Sequence, residues 1–400
     1  MSVSQRLVLF SCLFFSFASS SEVNPIKQEI RIEIDDTKKV KSDQVYKGQV
    51  SYTLMGRRFD DPFVSSRWGR AIIDMSLSAQ FENWFEANLS VAQLLSSGSA
   101  SYQLGVTEAG PSNGLFLNEA TLAIKPFDFL TAKAGVLEVQ YNPILSMFTT
   151  QGQAGGSLRA SHSNQTNLGV FKAHLEGSQS IPTAGAKGNV ITDEGTNPLL
   201  TLGTLSTELK NEDSGTRMRM SATHFEYTDL STATATDSLR TGSTVVGNKD
   251  FQFAYEFRGK EYAAAIEQEI GLSHEIRAKA SLISNELAPK GLRDGYQYRL
   301  EYARTFNKWK FIPGFTQFRV EGDALPSLYA IGSYGYTNRE GYNVAMKVEF
   351  AKQKFNIFTG YTNAKAINKN GANANTSQSS TYQADREIFT LGAEVKYDIF

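Results

Sequence analysis

The sequence predicts an all-β chain that closes into a transmembrane antiparallel β-barrel of about sixteen strands. Three observations carry this prediction: an export leader at the N-terminus, a two-residue hydrophobic period in segments long enough to cross a bilayer, and connections that alternate between short turns and long polar loops.

The leader occupies residues 1–20. Met1–Arg6 form a short segment with one cation, Leu7–Phe17 form an apolar core, and Ala18, Ser19 and Ser20 offer small side chains for cleavage. That core is too short to span a bilayer as a helix, which needs about 20 residues. Cys12 lies inside the apolar run and is the only cysteine, so the mature chain has no disulfide staple. Past residue 20 no apolar run is long enough for a membrane helix. The 40 Lys and Arg balance 41 Asp and Glu, which removes any electrostatic case for nucleic acid. The 17 Tyr and 26 Phe form an aromatic fraction suited to the girdles of a membrane barrel.

From residue 45 the period is two. Ile73, Met75, Leu77, Ala79 and Phe81 alternate with Asp74, Ser76, Ser78 and Gln80. The same pattern runs through Phe251, Phe253, Tyr255 and Phe257, through Tyr296, Tyr298, Leu300 and Tyr302, and through Tyr342, Val344, Met346, Val348 and Phe350. Each reads as a strand with one apolar and one polar face. A single run fits a soluble sandwich equally well. A strand needs about 9–11 residues to cross a bilayer, whereas soluble strands average about 5–6, so the set of long runs favours the barrel.

The predicted strands are 44–56, 70–82, 84–96, 114–125, 128–138, 155–164, 166–178, 199–210, 215–228, 249–258, 260–271, 294–306, 309–321, 341–351, 353–365 and 385–400. Short connections such as Asn83, Gly259–Lys260 and Asn307–Lys308 alternate with long ones at 57–69, 97–113, 139–154, 179–198, 229–248, 272–293, 322–340 and 366–384. Two further alternations fall inside long loops, Ile276, Ala278, Ala280 and Leu282, and Leu328, Ala330 and Gly332. They are loop hairpins, or they raise the count to eighteen. Residues 21–43 are too few for a plug domain and read as a short periplasmic extension or an added edge strand, and 44–400 as the barrel.

The last strand, EIFTLGAEVKYDIF, sets Phe389, Leu391, Ala393, Val395 and Tyr397 on one face and ends on Phe400. It resembles the final strand of Gram-negative outer-membrane barrels. GLFLNEATLAIKP with FDFLTAKAGVLEV, and YTNREGYNVAMKVEF, resemble hairpins of the general and phosphate-selective porins. The resemblance implies a cell outer-membrane location, assembly through Tyr397 and Phe400 by the barrel assembly machinery, contact with outer-membrane lipid and a homotrimer. It also implies a lumen-folded third external loop, here 139–154, which holds Ile144, Leu145, Met147 and Phe148 and no charge. One departure stands out: Asp398 occupies the place where the family pattern has an aromatic, which implies a bulge near the end or an atypical assembly signal.

The polar phase supplies the candidate pore-lining residues. The cations are Lys133, Arg159, Lys172, His174, Arg217, Arg219, Arg299, Arg319 and Lys347, and the acids include Asp74, Glu86, Glu119, Glu208, Glu256, Glu267, Glu301 and Glu349. In a pore such rings set ion selectivity. Arg159, Lys172, Arg217 and Arg219 fall on adjoining predicted strands and would bias the lumen toward anions. The plainer reading, that these charges solvate a lumen and pair with neighbouring acids, is preferred. Of four histidines, His174 shares a strand face with Glu176, a pair that alternation produces often, and no GxSxG or HExxH motif is present. No cofactor or metal is expected. The sequence therefore predicts a non-enzymatic channel for passive diffusion of ions and small hydrophilic solutes. A non-conducting adhesin or structural barrel and a barrel-borne hydrolase are the alternative classes, and conductance separates the first two.

Overall fold

The computed structural model describes residues 45–60, 64–81, 84–102, 113–137, 152–182, 197–247, 251–271, 273–330, 336–350, 354–368 and 385–398. The leader 1–20, the extension 21–43, most of the loop 139–154 and Phe400 lie outside them.

Among the described residues sixteen strands close into one barrel. The first half consists of β1 (Val45–Asp60), β2 (Val64–Phe81), β3 (Phe85–Tyr102), β4 (Gly114–Phe127), β5 (Leu130–Leu137), β6 (Gln153–Thr166), β7 (Gly169–Ser180), β8 (Leu199–Asn211) and β9 (Thr216–Thr228). A helix α1 (Thr232–Thr241) and a small hairpin, β10 (Val245–Val246) with β11 (Gln252–Phe253), interrupt the barrel order. It resumes with β12 (Phe257–Ile270), β13 (His274–Asn285), β14 (Asp294–Phe306), β15 (Trp309–Val320), β16 (Arg339–Phe350), β17 (Phe355–Ala366) and β18 (Arg386–Asp398). β1 pairs antiparallel with β18, from Gln49 opposite Asp398 to Asp60 opposite Glu387. Closure leaves no unpaired edge, which an isolated sheet in lipid could not tolerate.

One phase of every strand faces lipid. Leu54, Leu122, Leu158, Leu175, Leu205, Met220, Tyr262, Leu300, Phe315, Val344 and Leu391 are all exposed on it. At the end with the short turns the same phase carries a girdle, in which Tyr46 meets Phe81, Phe127 stacks on Phe129, and Trp309, Phe350 and Phe355 form a run. Such aromatic belts sit at the lipid–water boundary. Tyr397 is exposed on this outward phase opposite Val50, and the register continues unbroken to Asp398, so no bulge occurs up to that residue.

Two segments depart from the sequence expectation while the count stays at sixteen. Of the aromatic run expected as a strand at 249–258, only Phe257 and Arg258 join the barrel, pairing with Tyr227 and Glu226 as the start of β12. Gln252–Phe253 pair instead with Val245–Val246, and the rings of Phe253 and Phe257 meet edge to face at 5.0 Å against a buried cluster. Phe253 and Phe257 pack on an internal core and do not face lipid. The missing strand is β13, inside the expected loop 272–293, where Ile276, Ala278, Ala280 and Leu282 face outward. The predicted turn Gly259–Lys260 lies within β12, and the connection falls at 271–273 instead. The expected loop 57–69 is largely strand as well, with Arg57 opposite Trp68 and Asp60 opposite Ser65. There the outward phase carries Arg58, Asp60, Ser65 and Arg67, so no apolar alternation betrays it. Leu328 belongs to a buried 3-10 turn, Ser327–Tyr329.

The main internal core lies on the inner phase near the long-loop end. Leu200, Leu202, Phe225, Tyr227, Phe257, Ile283 and Val320 pack there with Ala324, Leu325, Leu328, Tyr329 and Tyr336. The first set belongs to the wall and the second to the described parts of the following segment, 321–330 and 336–338, which pack inward on the wall.

Candidate functional site: two walls of the lumen

The inner phase is polar wherever the loops do not cover it, and register decides which charges meet. On the wall β6–β9, Arg159 pairs with Glu176 at 2.6 Å, and His174 Nδ1 lies 2.9 Å from Ser161 Oγ. Lys172 stands opposite Glu208, which in turn stands opposite Arg219. Glu208 receives Arg217 at 2.8 Å and Arg219 at 3.6 Å, and Arg219 also reaches Glu267 at 2.9 Å. The four cations singled out in the sequence do share adjoining strands, but carboxylates stand between them. Lys133 lies in register with Ala123 and Ser157 on the same inner phase, and Glu119 accepts a bond from Thr121 at 2.7 Å.

The wall β13–β16 differs. Lys279 and Arg299 stand directly opposite one another. Like charges in that position repel, so the pairing disfavours the folded barrel unless counter-charge arrives from elsewhere. Arg299 donates from Nε to Glu301 at 3.0 Å, Lys347 pairs with Glu349 at 2.7 Å, and Glu275 binds both Arg277 and Lys310. A cavity of 620 Å³ opens on this wall. Its charged lining is Arg57, Arg277, Lys279, Arg299 and Lys347 against Glu301 and Glu349.

Arg319 is a correction. It stands opposite Tyr296 and Glu340 on the outward phase and pairs with Glu340 at 2.7 Å and Glu321 at 3.2 Å, so it does not line the lumen. β15 carries Phe315 on the lipid side and Phe318 buried on the inner side, and two aromatics of opposite phase obscured the parity. Glu256 lies in the loop before β12 and not on a strand. Lys279, Arg277 and Arg57 were missed because their segments read as loops. The alternation of Ile276, Ala278, Ala280 and Leu282 was the signal that could have placed the first two.

No family model matches the chain, and no curated protein matches it in sequence. Solved structures do match in fold. The high-pH structure of OprB from Pseudomonas putida is 13% identical, covers 89% of this chain and 94% of its own, and gives a TM-score of 0.52. OccK7 (OpdD) of Pseudomonas aeruginosa is 10% identical over 90% of this chain and 100% of its own, with a TM-score of 0.47. At such identities the likeness shows the fold alone. The architecture, a closed barrel of sixteen antiparallel strands, is of the kind seen in the solved OprB structure. Its lipid-facing band and aromatic girdle suit the outer membrane, where such barrels reside.

Proposed function

We propose that the chain forms a water-filled channel for passive diffusion of ions and small hydrophilic solutes, with a lumen that favours anions. The supporting observation is the cation excess of the cavity beside β13–β16, where Lys279 stands opposite Arg299 and five cations, Arg57, Arg277, Lys279, Arg299 and Lys347, face two acids, Glu301 and Glu349. Sixteen strands generally leave an aqueous lumen, and fixed charge inside it selects ions. The test is planar-bilayer recording across a salt gradient. Discrete ohmic steps with an anion-directed reversal potential at low salt are expected. A barrel that inserts and never conducts would return the chain to the structural or adhesin class.

The homotrimer implied by the porin resemblance has one feature in its favour. Aromatics are sparse on the outward phase of β6–β9: β6 and β8 contain none, Phe225 and Tyr227 of β9 face inward, and Phe171 of β7 is the one on that phase. Beside the apolar Leu158, Leu175, Leu205 and Met220, this outward phase carries Ala154, Gly156, Ala160, His162 and Gly203, small or polar groups that suit a protein neighbour better than lipid. Cross-linking in native membranes checks this; a strictly monomeric product would count against it.

A further inference from the structure

The outward phase of the wall carries its formal charges at the long-loop end, with one exception. Pairs such as Arg258 with Glu226 and Arg319 with Glu340 lie beyond the apolar band, beside the long connections. At the short-turn end Arg304 is the one formally charged strand residue of that phase among those described. It is exposed near the end of β14, two residues before Phe306 and the turn at 307–308. It stands opposite His274 of β13 and Phe311 of β15, on the same side of the wall as Tyr302 and Trp309. In barrels of this kind the short turns are periplasmic.

No described acid pairs with Arg304. The carboxylates of the neighbouring strands sit on the inner phase and are engaged there: Glu275 takes Arg277 and Lys310, Glu301 takes Arg299, and Glu349 takes Lys347. An arginine on the lipid side destabilises a barrel unless it lies near the boundary, where headgroup oxygens can reach it. The Arg304 guanidinium lies over the ring of Phe306 at 4.2 Å from its centroid, so the side chain reaches toward the short turns. Phe306 is itself met edge-on by Phe311 at 5.8 Å. With one face on a ring, the guanidinium keeps its edge of N–H donors for a ligand. His274 adds another donor. Its Nδ1 is bonded to the Tyr302 hydroxyl, and when that hydroxyl donates, the ring proton resides on Nε2. Lys308, exposed in the turn that follows Phe306, adds a second cation.

We propose that Arg304, His274 and Lys308 form a site on the outer wall for the phosphodiester headgroup of an anionic phospholipid in the periplasmic leaflet. The guanidinium edge and His274 Nε2 take the non-bridging phosphate oxygens, as charge-assisted donors do. Phe306 holds the arginine in one orientation, which lowers the ordering cost of binding. Phe311 and Trp309, with ring centroids 6.1 Å apart, continue the outward surface beside the arginine and receive the acyl chains. Two cations without an acid favour a headgroup of net negative charge, because the ammonium of a zwitterionic lipid would meet Arg304 and Lys308. The same rings favour a lipid over a free anion, since they open on hydrocarbon. The site does not face the lumen and stands apart from the channel reading.

The experiment uses the full chain in non-ionic detergent with dioleoylphosphatidylglycerol or dioleoylphosphatidylcholine added, and bound lipid is counted by native mass spectrometry. Wild type should retain phosphatidylglycerol about tenfold more tightly than phosphatidylcholine, the worth of a charge-assisted contact. Arg304→Gln should lose that preference, and His274→Leu should reduce it by a smaller factor. Arg258→Gln, at the other end of the same phase, should retain phosphatidylglycerol as wild type does. Excess inorganic phosphate should leave the lipid bound. Equal retention of both lipids by wild type overturns the site, as does an Arg304→Gln variant that still prefers phosphatidylglycerol. An equal loss in Arg258→Gln would reduce the effect to general surface charge and overturn the assignment. Displacement by inorganic phosphate would overturn the lipid as ligand. Should Arg304→Gln fail to fold, His274→Leu carries the test, and an unchanged preference in it overturns the site. Retention is read without current, so the result stands whether or not the barrel conducts.

Discussion

The walls β6–β9 and β13–β16 carry similar numbers of cations and differ in what stands beside them. On the first, Glu176, Glu208 and Glu267 each accept an arginine. On the second, Glu275, Glu301 and Glu349 accept cations too, but Lys279 also meets Arg299 across the ladder. A count of charged residues by phase cannot distinguish these walls, because compensation is a property of strand register. The difference teaches that the arginines easiest to notice in the sequence are the ones already neutralised in place.

The largest expected effect tests the parity on which both walls depend. Met346→Arg, on the lipid phase, should destabilise the barrel by about 2–4 kcal/mol if it reaches the bilayer midplane, read as loss of heat-resistant folded protein on gels. Ala345→Arg, one residue away on the cavity lining, should fold and lower conductance. Equal responses would remove the basis for separating the faces. Next in size, Lys279→Gln with Arg299→Gln should abolish anion preference at low salt. Salt screens such fields over about 8–10 Å near physiological strength, so the variant and wild type should converge in concentrated electrolyte. An unchanged reversal potential would show that this wall does not select ions. A smaller shift toward cations is expected from Arg217→Gln with Arg219→Gln, because Glu208 and Glu267 are left unpaired. The smallest effect sharpens the contrast: Glu208→Gln with Arg219→Gln removes one charge of each sign and should leave selectivity close to wild type. A shift as large as that of the β13–β16 variant would make the two walls equivalent.

Much of the barrel was legible because lipid imposes a rule that sequence must obey. Tyr298, Leu300 and Tyr302 had to alternate with Gln297, Arg299 and Glu301 once one side met hydrocarbon and the other water. The rule fails where neither solvent applies. Phe251 to Phe257 alternate beneath a folded loop, and Arg57 to Asp60 continue a strand where its outward face is wet. β13 announced itself through two alanines, a weaker pattern than the neighbouring aromatics, and an even strand count allowed only one of the two. Loop folding was illegible for a different reason. The contact of Thr244 with Asp323 joins residues 79 apart through a hydroxyl and a carboxylate that mark no periodicity.

The seam between β1 and β18 has a consequence for how the molecule comes into being. Gln49 bonds Asp398 at 3.2 Å across 349 residues of chain. No piece that stops short of β18 can form that ladder, so the barrel cannot shut until that strand is in place. Contacts so distant along the chain make folding slow. Through that interval the two terminal strands offer unsatisfied backbone groups to any neighbour, a recipe for misassociation. The yield of folded barrel should therefore depend more on how quickly β18 reaches β1 than on the stability of the finished barrel.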